Sequence, residues 1–185
     1  MTFENVSLFF EFPTKSFKSN KSSMTDLMII SDYNKIAIEA KYTEYHRSTY
    51  ETIKDWYKKS KSDNRLNVLN HWKEIISDFS NGSIDESSEL AYQFLHRTAS
   101  ACYENTNTAY VVYQLFWDEE TKTSLKGFEE DIKKYVAIIN PNEKLKFFIH
   151  KIQITNKAKA KKETVFQEMK SKAIYEFGKE EIESI

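Results

Sequence analysis

A single cysteine, three glycines and two prolines are all that 185 residues contain of these types. Cys102 alone excludes a disulfide framework and any multi-cysteine zinc site. There is no P-loop, HExxH or GxSxG pattern, so the familiar phosphate-cradle, zinc-protease and serine-hydrolase signatures are missing. No apolar run approaches the roughly 20 residues that span a bilayer. The start, MTFENVSLFF, lacks a basic n-region and a small-residue cleavage site. We therefore expect no signal peptide, no membrane partner and a cytoplasmic protein. Excess charge is absent too: 27 Lys and Arg balance 28 Asp and Glu, and a net charge of −1 does not announce a nucleic-acid binder. With no internal repeat or linker, and 40% apolar against 30% charged residues, the chain reads as one folded domain over 1–185.

The stretch richest in information is Thr25 to Glu44, TDLMIISDYNKIAIEAKYTE. Two apolar, β-prone runs, Leu27–Ile30 and Ile36–Ala40, flank the turn-forming Ser31-Asp32-Tyr33-Asn34 and predict a buried β-hairpin. Three charges sit inside it: Asp26, Glu39 and Lys41. Buried charges cost several kcal/mol unless paired or metal-bound. Glu39 and Lys41, two apart, share a face; folding about Asp32–Asn34 brings Asp26 opposite Glu39 or Lys41 according to the register, and a tight two-residue turn would put it on that face as well. Two hard oxygen donors suit Mg²⁺, with Mn²⁺ as the substitute, and a substrate phosphate can complete the shell. Lys41 can orient an attacking water or neutralise phosphoryl oxygens. The chemistry suggested is metal-dependent phosphodiester hydrolysis. Two carboxylates about 4 Å apart repel by about 4 kcal/mol at an effective dielectric of ~20, so without metal this point should be strained.

Asp26, twelve intervening residues, then Glu39-Ala40-Lys41 resembles the PD-(D/E)xK motif of the restriction-endonuclease-like nuclease superfamily, with Thr25 where the motif has Pro. The resemblance implies an α/β fold with a mixed central β-sheet flanked by helices on both sides, a restriction-endonuclease-like core, over about residues 5–117. It implies Asp26 and Glu39 as metal-binding acids, the Ala40 carbonyl as a further ligand and Lys41 as the catalytic lysine. Glu11 would be the candidate for the additional upstream acid found in many members. The run YQFLHR resembles the helix that packs beside such sites, with Gln93 near the lysine as a catalytic residue and His96 or Arg97 near the phosphate. The function implied is a Mg²⁺-dependent endonuclease acting on nucleic acid, DNA rather than RNA. The alternative is an inactive nucleic-acid-binding or protein-interaction module on the same fold. A homodimer and a targeting partner protein stay open as assemblies.

Elsewhere, residues 5–12, Thr108–Trp117 and Leu145–Thr155 read as strands. Helices are predicted from Ser48 to about Ser60, over Arg65–Phe79 and over 121–139. Ser83-Ile84-Asp85-Glu86 fits a capping box opening a helix through Cys102. A final basic helix should run from about Lys157 to Phe177 and stop at Gly178, so that 145–178 forms a C-terminal strand-and-helix addition. Lys15, Lys18 and Lys21 lie in a Ser-rich loop able to grip phosphates. Residues 144–172 hold nine Lys and two acids, and Lys157, Lys159, Lys161 and Lys162 are the candidate nucleic-acid contacts there.

Overall fold

β-Branched and aromatic runs become strands here and the 3.6-period segments become helices, as the sterics of each side-chain type favour. A computed structural model describes residues 5–16, 22–45, 49–59, 63–104, 106–156 and 175–185. The elements are β1 (Val6–Lys15), β2 (Ser22–Ser31), β3 (Asn34–Lys41), α1 (Ile53–Lys58), α2 (Asp63–Ser77), α3 (Tyr92–Cys102), β4 (Thr108–Trp117), α4 (Lys122–Ile139), β5 (Leu145–Asn156) and β6 (Tyr175–Ser184). The six strands form one sheet in chain order. β1, β2 and β3 pair antiparallel; β4 joins β3, and β5 joins β4, in parallel; β6 closes the sheet antiparallel to β5. Parallel neighbours need long crossovers, which α1 to α3 and then α4 supply. The chain is thus a mixed α/β fold. Among the described residues no helix is long and apolar enough to cross a membrane.

The hairpin forms as its sequence predicts. Ser31 pairs with Asn34 across the Asp32-Tyr33 turn, and Leu27 with Ile38. The Tyr33 carbonyl then accepts the Asn107 N–H at 2.7 Å, which sets the start of β4 beside the turn. The core lies on the face carried by Val111, Tyr113 and Leu115 of β4 and Phe147 and Ile149 of β5, all fully buried. Phe94 of α3 sits at its centre, 5.4 Å from the rings of Tyr113 and Phe128 and 5.6 Å from Tyr135. Burying a side chain of this kind contributes about 1.5–3 kcal/mol. Tyr92 at the start of α3 stacks on Trp56 of α1 and accepts the Trp72 indole N–H of α2 at 2.9 Å. The four described helices pack on this one face; most of the last predicted helix, from Lys157, lies outside the described residues. The opposite face exposes Leu8, Phe10, Phe177 and Ile182.

Two predicted helix boundaries are corrected. α3 begins at Tyr92, not near Ser83. The Asp85 carboxylate accepts the Ser87 N–H and hydroxyl in a local turn, and the segment before α3 pairs with the one before α1: Thr52 bridges Ala91, and the Leu90 carbonyl accepts the Ile53 N–H. Backbone groups spent this way cannot open a helix. At the C-terminus, Tyr175–Ser184 is strand β6, so neither Phe177 ends a helix nor Gly178 stops one. Its charged residues find cross-strand partners, with Glu181 3.3 Å from Lys151. The helix N-terminus proposed at Ser48 lies outside the described residues; α1 is capped by Thr52, whose hydroxyl oxygen accepts the Asp55 N–H at 3.0 Å.

Candidate active site

The ladder of β2 with β1 lapses at one residue, Asp26, between the pairs Leu27–Phe10 and Thr25–Phe12, and the ladder with β3 ends just before it at Leu27–Ile38. Across from it on β1, Glu11 has φ 51 and is exposed. The alternation of the strand inverts at this point: Met28 is buried, yet so is Thr25, while Met24 is exposed. The Asp26 carboxylate replaces the missing ladder bond by accepting the Ala40 N–H at 2.8 Å. One step beyond the last pair, Leu27–Ile38, Asp26 would stand opposite Glu39.

Glu39 is only 2% exposed and holds two cations. Its Oε1 lies 3.0 Å from Lys41 Nζ, and its Oε2 accepts the Nε–H of Arg97 from α3. Lys41 also reaches Glu44 at 3.2 Å. Burial opposes the Lys41 charge, but Glu39 and Glu44 outweigh it and raise the ammonium pKa above its ordinary value. Lys41 is therefore held as a cation and cannot accept a proton near neutral pH. The strain expected of two neighbouring carboxylates has a counterweight that sequence did not reveal, because Arg97 supplies a second positive charge.

The network runs on. Arg97 Nη1 donates to Ser23 Oγ at 3.0 Å and lies 3.3 Å from His96 Nδ1, while Ser23 Oγ is 2.6 Å from the same nitrogen. Guanidinium has no acceptor, so an Arg97 bond to Nδ1 requires the tautomer with its proton on Nε2, in which the Ser23 hydroxyl donates to Nδ1. Burial, then Arg97 and Lys41, hold the His96 pKa well below its ordinary value, leaving the imidazole neutral.

Gln93, His96, Lys41 and Glu44 line one cavity of about 320 Å³ beside this cluster. Arg97, expected near a phosphate, is buried against Glu39. Lys15 is exposed at the end of β1. Lys18, Lys21, Lys157, Lys159, Lys161 and Lys162 lie outside the described residues. Ser23 escaped sequence reasoning because strict alternation from Asp26 sends it to the far face; only the inversion at Asp26 turns it toward α3.

Among the described residues no three His, Cys, Asp or Glu side chains group closely enough to hold a metal. Two carboxylates are on hand, Asp26 and Glu39, and each carboxylate offers about four lone-pair sites. Glu39 can thus keep its cations and still present a lone pair, and Asp26 Oδ1 has no described partner. The donor set fits a hard divalent ion that takes its remaining ligands from backbone, water and substrate oxygens.

No curated protein and no solved structure matches the chain. A family model described as a domain of unknown function, DUF6946, matches residues 1–166. Spanning the sheet through β5 and the whole Asp26–Arg97 cluster, that match makes the chain a member of the DUF6946 family.

Proposed function

We propose that the protein is a Mg²⁺-dependent nuclease hydrolysing phosphodiester bonds, with DNA favoured over RNA, on a restriction-endonuclease-like core. One observation carries the reading: Asp26 accepts the N–H of Ala40 at the centre of Glu39-Ala40-Lys41, so the motif's two acids and its lysine meet at one strand end. The strand order, antiparallel β1-β2-β3 followed by parallel β4, supports the same view. Asp26, Glu39 and the Ala40 carbonyl would hold the ion, which when bound lowers the pKa of a water and offsets charge building on phosphate. Arg97 fixes the Glu39 carboxylate. Lys41, held protonated, offsets charge on a phosphoryl oxygen instead of abstracting a proton. Gln93, on the wall of the same cavity, orients substrate or water.

The competing reading is an inactive binding module, and a specific observation favours it: Lys41 and Arg97 already balance Glu39 without any ion. Incubating plasmid, single-stranded DNA and RNA with Mg²⁺, Mn²⁺ or EDTA decides. We expect cleavage only with metal, lowered about 10²-fold or more by Lys41→Ala and by Asp26→Asn. Folded wild-type protein that leaves all three substrates intact with both metals sinks the nuclease.

A further inference from the structure

A second cavity, of about 350 Å³, lies behind the first and shares Tyr92 and His96 with it. Its other walls come from three further elements: Ser22 and Ser23 at the start of β2, Trp56 of α1, and Asn64, Arg65 and Trp72 of α2. Tyr92 stacks on Trp56 with centroids 4.3 Å apart and planes within 10°, and the Arg65 guanidinium sits 4.9 Å over the Trp56 ring. Arg65 is fixed there by donating to the Trp56 carbonyl. His96 meets Tyr92 edge-on at 5.0 Å. The result is a prearranged stack of aromatic and guanidinium planes bordering the cavity, which hydroxyl and amide groups also line.

We infer that this cavity receives the base of an unpaired nucleotide whose phosphate lies at Lys41. The inference takes the phosphate position from the nuclease reading. Three features argue for a base. Its volume falls at the small-ligand end of the range for binding cavities, room for one ring system and not for a stacked pair of strands. Its flat side suits a π-face: unpaired bases stack on aromatic rings and Arg planes, whereas bases within a duplex keep both faces covered. Asn64, Ser22 and Ser23 offer both donors and acceptors, as a base edge requires. Adjacency supplies the rest, since His96 and Tyr92 separate the two cavities by one layer of side chains, and Lys41 lies on the other side. A strand would be held with its backbone at the charged cluster and one base turned inward. Such a base comes either from a single strand or from a nucleotide flipped out of a duplex.

Trp56 and Trp72 are two of the three tryptophans, so intrinsic fluorescence reports on this cavity. Thymidine 5′-monophosphate, a single-stranded dT oligomer, a blunt duplex and a duplex with one unpaired thymine are titrated in EDTA, where no cleavage intervenes. We expect saturable quenching by the single strand, weakened on the order of tenfold or more by Asn64→Ala and Arg65→Ala. Ser22→Phe, which fills the cavity from the strand side, should do the same if the helix variants misfold. Quenching by the unpaired-thymine duplex but not the blunt one identifies a flipped base; quenching by the monophosphate alone identifies a free nucleotide. Folded variants that bind the single strand as tightly as wild type overturn the base site. If wild type nevertheless cleaves DNA, the nuclease stands without it. Binding that depends on Arg65 and Asn64 with no cleavage of any substrate keeps the site and removes the nuclease.

Discussion

Glu39 shows how one buried side chain ties chemistry to stability. It is shielded from water, so removing Arg97 leaves Oε2 of a buried carboxylate without its donor, at a cost of about 1–3 kcal/mol. Arg97→Met should therefore lower urea stability by about that amount. The double variant Glu39→Gln/Arg97→Met should cost less than the sum of the singles by about 1 kcal/mol or more, the mark of a direct pair. Additive losses would mean that the two do not depend on one another. His96 gives a pH signature. Its folded pKa lies below the unfolded value of about 6.5, because burial and the facing cations Arg97 and Lys41 disfavour imidazolium. Below pH 6.5 the unfolded chain gains a proton that the folded one does not, so stability falls with pH by up to about 1.4 kcal/mol per pH unit. Thermal melts from pH 7.5 to 5 should show this drop, and His96→Gln should flatten it.

At the scale of elements, the loop after α2 is docked on the C-terminal end of α4. Asn140 caps α4 in the left-handed conformation, φ 47, and the carbonyls of Asn140 and Ile139 accept the N–H groups of Asn81 and Gly82. A Cβ on Gly82 would stand 2.1 Å from the Ile138 carbonyl oxygen, backbone that cannot step aside. Gly82→Ala should thus cost about 1–3 kcal/mol or more; an unchanged melting temperature would show that the loop is not held there. Element identity was largely legible in the sequence. Thr108–Trp117 was delimited by its β-branched and aromatic run, and the hairpin by two apolar runs about a turn, its register left open. The start of α3 was not, because the pairing of Leu90 and Ala91 with the segment before α1 is a contact between distant residues that overrides a local capping pattern. β6 was hidden for a similar reason: nothing local marks it as a strand until the free edge of β5 supplies both ladder and partners.

For the molecule as a whole, the sheet sets one face toward four helices and leaves apolar side chains of β1 and β6 open on the other. The candidate site belongs to the seam between hairpin and α3, and its parts were unequally visible. Asp26, Glu39 and Lys41 could be placed on one hairpin from the sequence, with the register between its strands left open. Arg97 as the Glu39 partner could not, since helical spacing gives the stripe Gln93, His96, Arg97 and Ser100 without saying what it faces. That separation also has a schedule. Glu39 and Arg97 stand 58 residues apart in the chain. At about 5–20 residues per second, a ribosome delivers the hairpin on the order of 3–12 s before the arginine. Over that interval the carboxylate has only Lys41 from its final pair of cations, and water is its better neighbour. Covering Glu39 in its final form therefore waits for α3, whose Arg97 completes the charged seam.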